Sequence, residues 1–138
     1  VNKEQLRSAA EITLNTTALL LLFRLITSSF SYEVREQIRK RAGYRSELSG
    51  RDDEPLECAH WNHDKTEQTY DDPDNGRLLL LSEHLQDHID RAGENGLSES
   101  DNNYAIRTLE RKLRDFYDER AYRERNRKKE QFTQLPLL

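Results

Sequence analysis

Residues 56–61 read LECAHW, and residues 75–90 read NGRLLLLSEHLQDHID. Turn formers adjoin both stretches: Gly50, Asp52, Asp53 and Pro55 before the first, Asp71, Asp72, Pro73, Asp74 and Gly76 around the start of the second. Clusters of Gly, Pro and Asp interrupt regular structure, so the apolar runs between them are short. This pattern predicts two antiparallel strands, Leu56–Trp61 and Arg77–Leu81, joined by a long acidic loop. Ser82 is a natural N-cap, and the helix it opens continues through Ile89 until Gly93 stops it. Strand, loop, strand and helix therefore form the centre of the chain.

Outward from this centre the periodicity becomes helical. Ser31 caps a predicted helix from about Tyr32 to Ala42, with Glu33 in its first turn, Arg39, Lys40 and Arg41 in its last, and Gly43 as its stop. Residues 3–28 read as one or two helices whose apolar face widens at Leu19–Ile26. That leucine-rich segment is expected to be central to the core, or to form a homodimer or partner contact. On the other side, the Asn95–Gly96 turn and Ser98 or Ser100 lead into a last helix with Ile106, Leu109, Leu113, Phe116 and Tyr117 at helical spacing. From Arg120 the pattern fades into a basic tail. The expected organisation is a mostly helical α+β fold: a helical segment 1–30, a core 31–93, and a C-terminal helix and tail 94–138, in one compact domain.

The chain has 138 residues, 35% of them charged and 34% hydrophobic, which bounds the core to a thin one. A single cysteine, Cys58, excludes an internal disulfide and suits a reducing, cytoplasmic setting. No secretory leader is visible, and the apolar run ending at Arg24 falls short of the ~20 residues of a membrane span. The chain opens on Val1 and contains no Met, so it is expected to be a trimmed or processed fragment. The net charge of -4 is unevenly spread. Residues 34–51 carry six basic and two acidic side chains, residues 52–103 three basic and fifteen acidic, and residues 104–138 ten basic and six acidic. Two basic flanks around an acidic centre fit a divalent-metal site with phosphate-gripping edges, and equally a set of solvated charged faces.

All four histidines fall between positions 60 and 88. His84 and His88 stand four apart on the predicted helix, so both imidazoles leave one face and can share a divalent cation. His60 sits on the first strand, and Asn75 sits at the entry to the second.

In combination, Cys58-Ala59-His60-Trp61, Asn75-Gly76-Arg77-Leu78-Leu79, Ser82-Glu83-His84 and Asp87-His88 resemble the HNH (ββα-metal, His-Me finger) endonuclease motif. The intervals of fifteen from His60 to Asn75, nine to His84 and four to His88 are similar to the colicin-type arrangement. The resemblance covers roughly residues 56–90 and extends more weakly over residues 41–50. It implies a ββα-metal core that hydrolyses phosphodiester bonds in DNA, with RNA left open. His60 would be the general base, since neutral imidazole can take a proton near pH 7. Asn75 would hold the loop and orient His60. His84 and His88 would hold one divalent cation, Mg²⁺ or Mn²⁺ first and Zn²⁺ or Ni²⁺ next. Arg39, Lys40, Arg41, Arg45 and Arg77 are candidate phosphate contacts.

The sequence departs from the family pattern twice. Ala59 stands where many members carry a metal ligand; His63, Asp64, Glu57 or water would have to replace it. In a shifted register His60 would bind the metal and His63 act as base. The cysteine pairs that staple many members with zinc are replaced by Ser46 and Ser49, then Leu80 and Glu83, so no structural zinc is expected. Two other functions fit the same residues: a nucleic-acid-binding module that kept the scaffold without catalysis, and an oligomerisation module built on the leucine-rich helix. Trp61 and Tyr70 read as packing residues, and Asp71, Asp72 and Asp74 as a solvated turn.

Overall fold

The computed structural model describes residues 29–134 and 136. The leucine-rich segment 3–28 and its expected burial lie outside these residues. The chain is α+β: helix α1 (Tyr32–Arg41), strand β1 (Leu56–His60), a 3₁₀ turn (Pro73–Asn75), strand β2 (Gly76–Leu80), helix α2 (Leu81–Asp90) and helix α3 (Glu99–Thr133). Among the described residues, no helix is long and apolar enough to cross a membrane.

Helix α1 starts where Ser31 accepts from the Val34 amide at 3.4 Å, with Glu33 favourable at its positive end. It ends at Gly43, which takes φ 63°, a left-handed conformation that glycine adopts without penalty. β1 and β2 pair antiparallel with Leu56 opposite Leu80 and His60 opposite Gly76. Because neighbouring residues point to opposite faces, this register sends Cys58, His60 and Leu78 to one side and Glu57, Ala59 and Leu79 to the other. The first face packs on α1, where Phe30, Val34, Ile38 and Leu78 form the core with Ala42, Leu56 and Cys58 against them. Phe30, Val34, Ile38 and Leu78 each contribute roughly 1.5–3 kcal/mol on burial. The second face receives α2, which in turn packs on α3 around the buried Leu109.

Two boundaries differ from the sequence reading. β2 runs into α2 with no loop, so the N-cap is Leu80 and Ser82 lies within the first turn. The Glu83 carboxylate takes over the capping by accepting from the Leu80 amide at 2.9 Å. At the other end, α3 does not fade at Arg120 but runs on to Thr133, 35 residues in all from Glu99.

Gly76 is required for close approach rather than for its backbone angle. A Cβ there would stand 2.6 Å from Phe30 Cζ and 2.7 Å from Ile38 Cδ1. Gly76→Ala is therefore expected to destabilise the fold by about 1–3 kcal/mol through overpacking, read as a lower urea midpoint. An unchanged midpoint would show that Phe30 can move away freely.

Candidate functional site

The hairpin end, its loop and α2 bring the four imidazoles into one cluster. Ring centroids lie 5.2 Å apart for His60 and His63, 5.1 Å for His63 and His88, and 5.0 Å for His84 and His88. Nε2 of His60, His63 and His84 is buried with no hydrogen-bond partner. Buried polar atoms are normally paired, so three orphaned nitrogens in one cluster point to a ligand. As the side chains stand, no three His, Cys, Asp or Glu donors among the described residues form a closed metal cage. The donors are gathered but not drawn together.

The supports of the two helical histidines fix their tautomers. His84 Nδ1 lies 3.0 Å from Glu57 Oε2. Burial opposes ionisation of Glu57, but hydrogen bonds from His84 and Lys112 hold its carboxyl down to about 2. An ionised carboxylate only accepts, so His84 donates from Nδ1, and in the neutral ring the lone pair is then the one at Nε2. His88 Nδ1 lies 2.9 Å from Asn102 Oδ1, while Asn102 Nδ2 donates to the His88 carbonyl and Asn95 Nδ2 donates to Asn102 Oδ1. That network orients the Asn102 amide and again puts the imidazole hydrogen on Nδ1. Metal-binding histidines are characteristically held in this way.

His60 is 3% exposed and lies between two aromatic rings, Phe30 at 3.6 Å and Tyr70 at 4.3 Å centroid to centroid, both nearly parallel to it. Burial pushes its pKa down to about 4, against the pull of Asp71 and a hydrogen bond with the Tyr70 backbone. His63 is pushed down to about 3 by burial and by the neighbouring histidines, and burial lowers His88 as well. All three are neutral at pH 7, the state in which imidazole accepts a proton or a metal.

Asn75 ties the loop to the hairpin. Its Nδ2 donates to the carbonyls of Asn62 at 2.9 Å and Tyr70 at 3.2 Å, and its Oδ1 accepts from the Asn62 amide. The Trp61 amide donates to the Asn75 carbonyl at 2.8 Å. One residue thus fixes both ends of the segment that carries His63 and Tyr70.

The candidates for the ligand missing at Ala59 separate clearly. Asp64 Oδ1 accepts from the Thr66 amide and hydroxyl, a local turn contact. Glu57 is occupied by His84 and by Lys112 at 2.6 Å. His63 alone of the three has its ring in the cluster with an unpartnered nitrogen.

The expected phosphate contacts fare differently. Arg41 pairs with both oxygens of Glu47 and donates to the Pro73 and Gly76 carbonyls, clamping α1 to the 3₁₀ turn. Arg77 bonds Asp87 at 2.5 Å, and Arg39 bonds Glu36 at 2.9 Å. These three pair with carboxylates of the same chain, whereas Lys40 is exposed and Arg45, also exposed, reaches Asp52 at 3.5 Å and the Gly50 carbonyl at 3.4 Å. Trp61 is not a core residue: it is 42% exposed, with the Arg77 guanidinium 3.9 Å from its ring centre. Nor are the loop aspartates merely solvated, since Asp71 accepts from the Ser31 amide and Asp72 caps the 3₁₀ turn. An open pocket lined by Arg41, Glu47, Leu48, Trp61, Asp74, Gly76 and Arg77 adjoins the hairpin, but no histidine lines it.

Where the resemblance places zinc-binding cysteines, hydrogen bonds join the same positions. Ser46 Oγ donates to Glu83 Oε2 at 2.5 Å and accepts from the Leu48 and Ser49 amides at 3.1 Å. The same Glu83 oxygen accepts from Leu80. Burial opposes it, yet the hydrogen bonds from Ser46 and Ser49 hold the Glu83 carboxyl below its ordinary value.

The depressed histidines imply a pH dependence of the metal-free fold. The unfolded chain takes up these protons near pH 6.5, the folded chain only near pH 4 for His60 and 3 for His63. Their contribution is thus complete above about pH 6.5 and lost as pH falls below it. Glu57 acts in the same direction at lower pH, between 4.5 and about 2. In chelator, lowering pH from 7 to 5 is expected to reduce unfolding free energy by on the order of 2–4 kcal/mol. A urea midpoint flat over that range would place these imidazoles in contact with water.

No protein-family model, no curated protein and no solved structure matches the chain.

Proposed function

We propose that this chain is a metal-dependent endonuclease of the HNH (ββα-metal) type, hydrolysing phosphodiester bonds in DNA. The observation that carries the reading is the cluster of four imidazoles with three orphaned buried Nε2 atoms. The strand–strand–helix order and the Asn75 loop tie support it.

His63, His84 and His88 are the residues that would hold one divalent cation, with Glu57 and Asn102 fixing the two helical rings. When bound, such an ion supplies electrostatic stabilisation to the charge growing on the phosphate and the departing oxygen. His60 is the base. It neighbours His63 in the cluster, and its Nε2 lone pair accepts the proton of water as the water oxygen attacks phosphorus. Phe30 and Tyr70 hold the ring in one orientation, which lowers the cost of arranging it at the moment of reaction. Asn75 keeps the loop, and through Tyr70 the base, in place.

A second reading exchanges two roles. His60 is nearly fully buried whereas His63 is partly exposed, and a base must reach water. On that ground His63 would take the proton and His60 bind the metal.

Supercoiled plasmid incubated with the protein and Mg²⁺, Mn²⁺, Ni²⁺ or Zn²⁺ tests the proposal. Conversion to nicked or linear DNA with at least one metal, and none in chelator, is the expected result. Inertness with every metal, alongside retained DNA binding, would replace the enzyme with a binding module.

A further inference from the structure

Helix α3 turns its buried residues, Asn102 and Leu109, toward α2 and the histidines. On its opposite side stand Arg107, Arg111, Arg114, Arg125 and Lys129, all exposed. Their spacings of four, three, eleven and four residues are whole numbers of turns to within a fraction of a residue, so the five cations form one row. The row covers roughly 33 Å of helix at 1.5 Å per residue. The ion pairs that α3 makes among the described residues, Lys112 with Glu57 and Arg123 with Glu119, use other residues. Tyr104 and Tyr122, 66% and 59% exposed, stand on the same side, each three residues before an arginine of the row. Asp115 and Asp118 lie midway and divide the row into a group of three guanidiniums and a distal pair.

We propose that the outward row of α3, from Arg107 to Lys129, is a contact surface for the phosphate backbone of DNA, separate from the site of cleavage. The inference rests on the nuclease reading and adds to it a second point of attachment. The occupant follows from the charge pattern. A DNA strand offers evenly spaced anions over the whole length of the row, and guanidinium matches phosphate oxygens two at a time. Exposed tyrosines between cations add ring faces for unstacked bases. α3 separates the row from the histidines by about one helix diameter, ~10 Å. Contacts there raise affinity without touching the reacting phosphate.

The test is the triple variant Arg107→Gln, Arg111→Gln, Arg114→Gln, with the Arg→Lys triple as its charge-preserving control. Binding of a fluorescently labelled DNA duplex, and of the single strand, is measured in chelator across a salt series. Loss of three phosphate contacts should lower the slope of log K against log salt by roughly 2–3 and weaken binding on the order of tenfold. In the plasmid assay KM should rise while kcat at saturating DNA is unchanged. The lysine triple should keep most of the slope. A glutamine triple with wild-type affinity and slope overturns the proposal, as does a wild-type protein that binds no DNA. So does a triple that loses binding only to anionic lipid vesicles. If the glutamine triple binds normally and plasmid is still cut, this surface is wrong and the nuclease reading stands. If nothing is cut but binding follows the row, the surface stands and the nuclease reading falls.

Discussion

His60→Ala is expected to lower the cleavage rate by roughly 10²–10⁴-fold while leaving metal and DNA affinity close to wild type, because a base acts on the transition state. The substitution empties the space between Phe30 and Tyr70, so folding must be checked by circular dichroism; His60→Gln keeps more of that volume. His84→Ala and His63→Ala should behave differently, losing metal affinity and rate together, since each removes a donor nitrogen. Asn102→Ala should weaken metal binding more mildly, roughly 10–100-fold, by freeing the His88 ring. Asn75→Ala should impair rate through a loosened loop, since it unties both Asn62 and Tyr70. Calorimetric metal titration beside single-turnover cleavage separates these patterns. Weakened metal binding in His60→Ala, together with a pure rate defect in His63→Ala, would show that the two residues exchange roles.

The parts of this site legible in the sequence are those governed by local rules. Ser31 and Gly43 delimit α1 by capping and by φ, and four-residue spacing puts His84 and His88 on one helical face. Turn formers around residues 50–55 and 71–76 placed both strands to within a residue. What the sequence hides is pairing across distance. No spacing links Asn102, fourteen residues along on another helix, to His88. Nor does any local signal say that Phe30 and Tyr70 close on His60, although two aromatics flanking a histidine motif invite the question. Arg41 and Arg77 read as phosphate contacts because a sequence shows charge but not the carboxylates, Glu47 and the buried Asp87, that the fold brings to them. The α2 cap was misplaced because Glu83 supplies it from inside the helix. The continuation of α3 past Arg120 did have a signal. No Gly or Pro interrupts residues 97–135, and pairs such as Glu119 with Arg123 support a helix that lacks an apolar stripe.

The largest single loss of stability is expected at a residue that touches neither metal nor substrate in the proposed mechanism. Asp87 is 7% exposed at its side chain and receives Arg77 Nη2 at 2.5 Å and Arg91 Nη1 at 3.2 Å. Arg77 and Arg91 are themselves 16% and 23% exposed, so removal of the carboxylate leaves two poorly solvated cations side by side. Breaking a buried pair from one side characteristically costs about 3–5 kcal/mol, more than deleting the whole group would. Both guanidiniums also face Trp61, at 3.9 and 5.2 Å from its ring centre, and Arg91 donates to the Trp61 carbonyl. Trp61 is the chain's single tryptophan and follows His60 directly. Asp87→Ala should therefore lower the urea midpoint measured by circular dichroism and change Trp61 emission already under native conditions. Asp87→Asn keeps acceptor oxygen but not charge, and should fall between wild type and alanine. If Asp87→Ala keeps the wild-type midpoint and emission, water reaches these guanidiniums freely. The cluster would then be a surface feature rather than the tie between β2, α2 and the segment that follows His60.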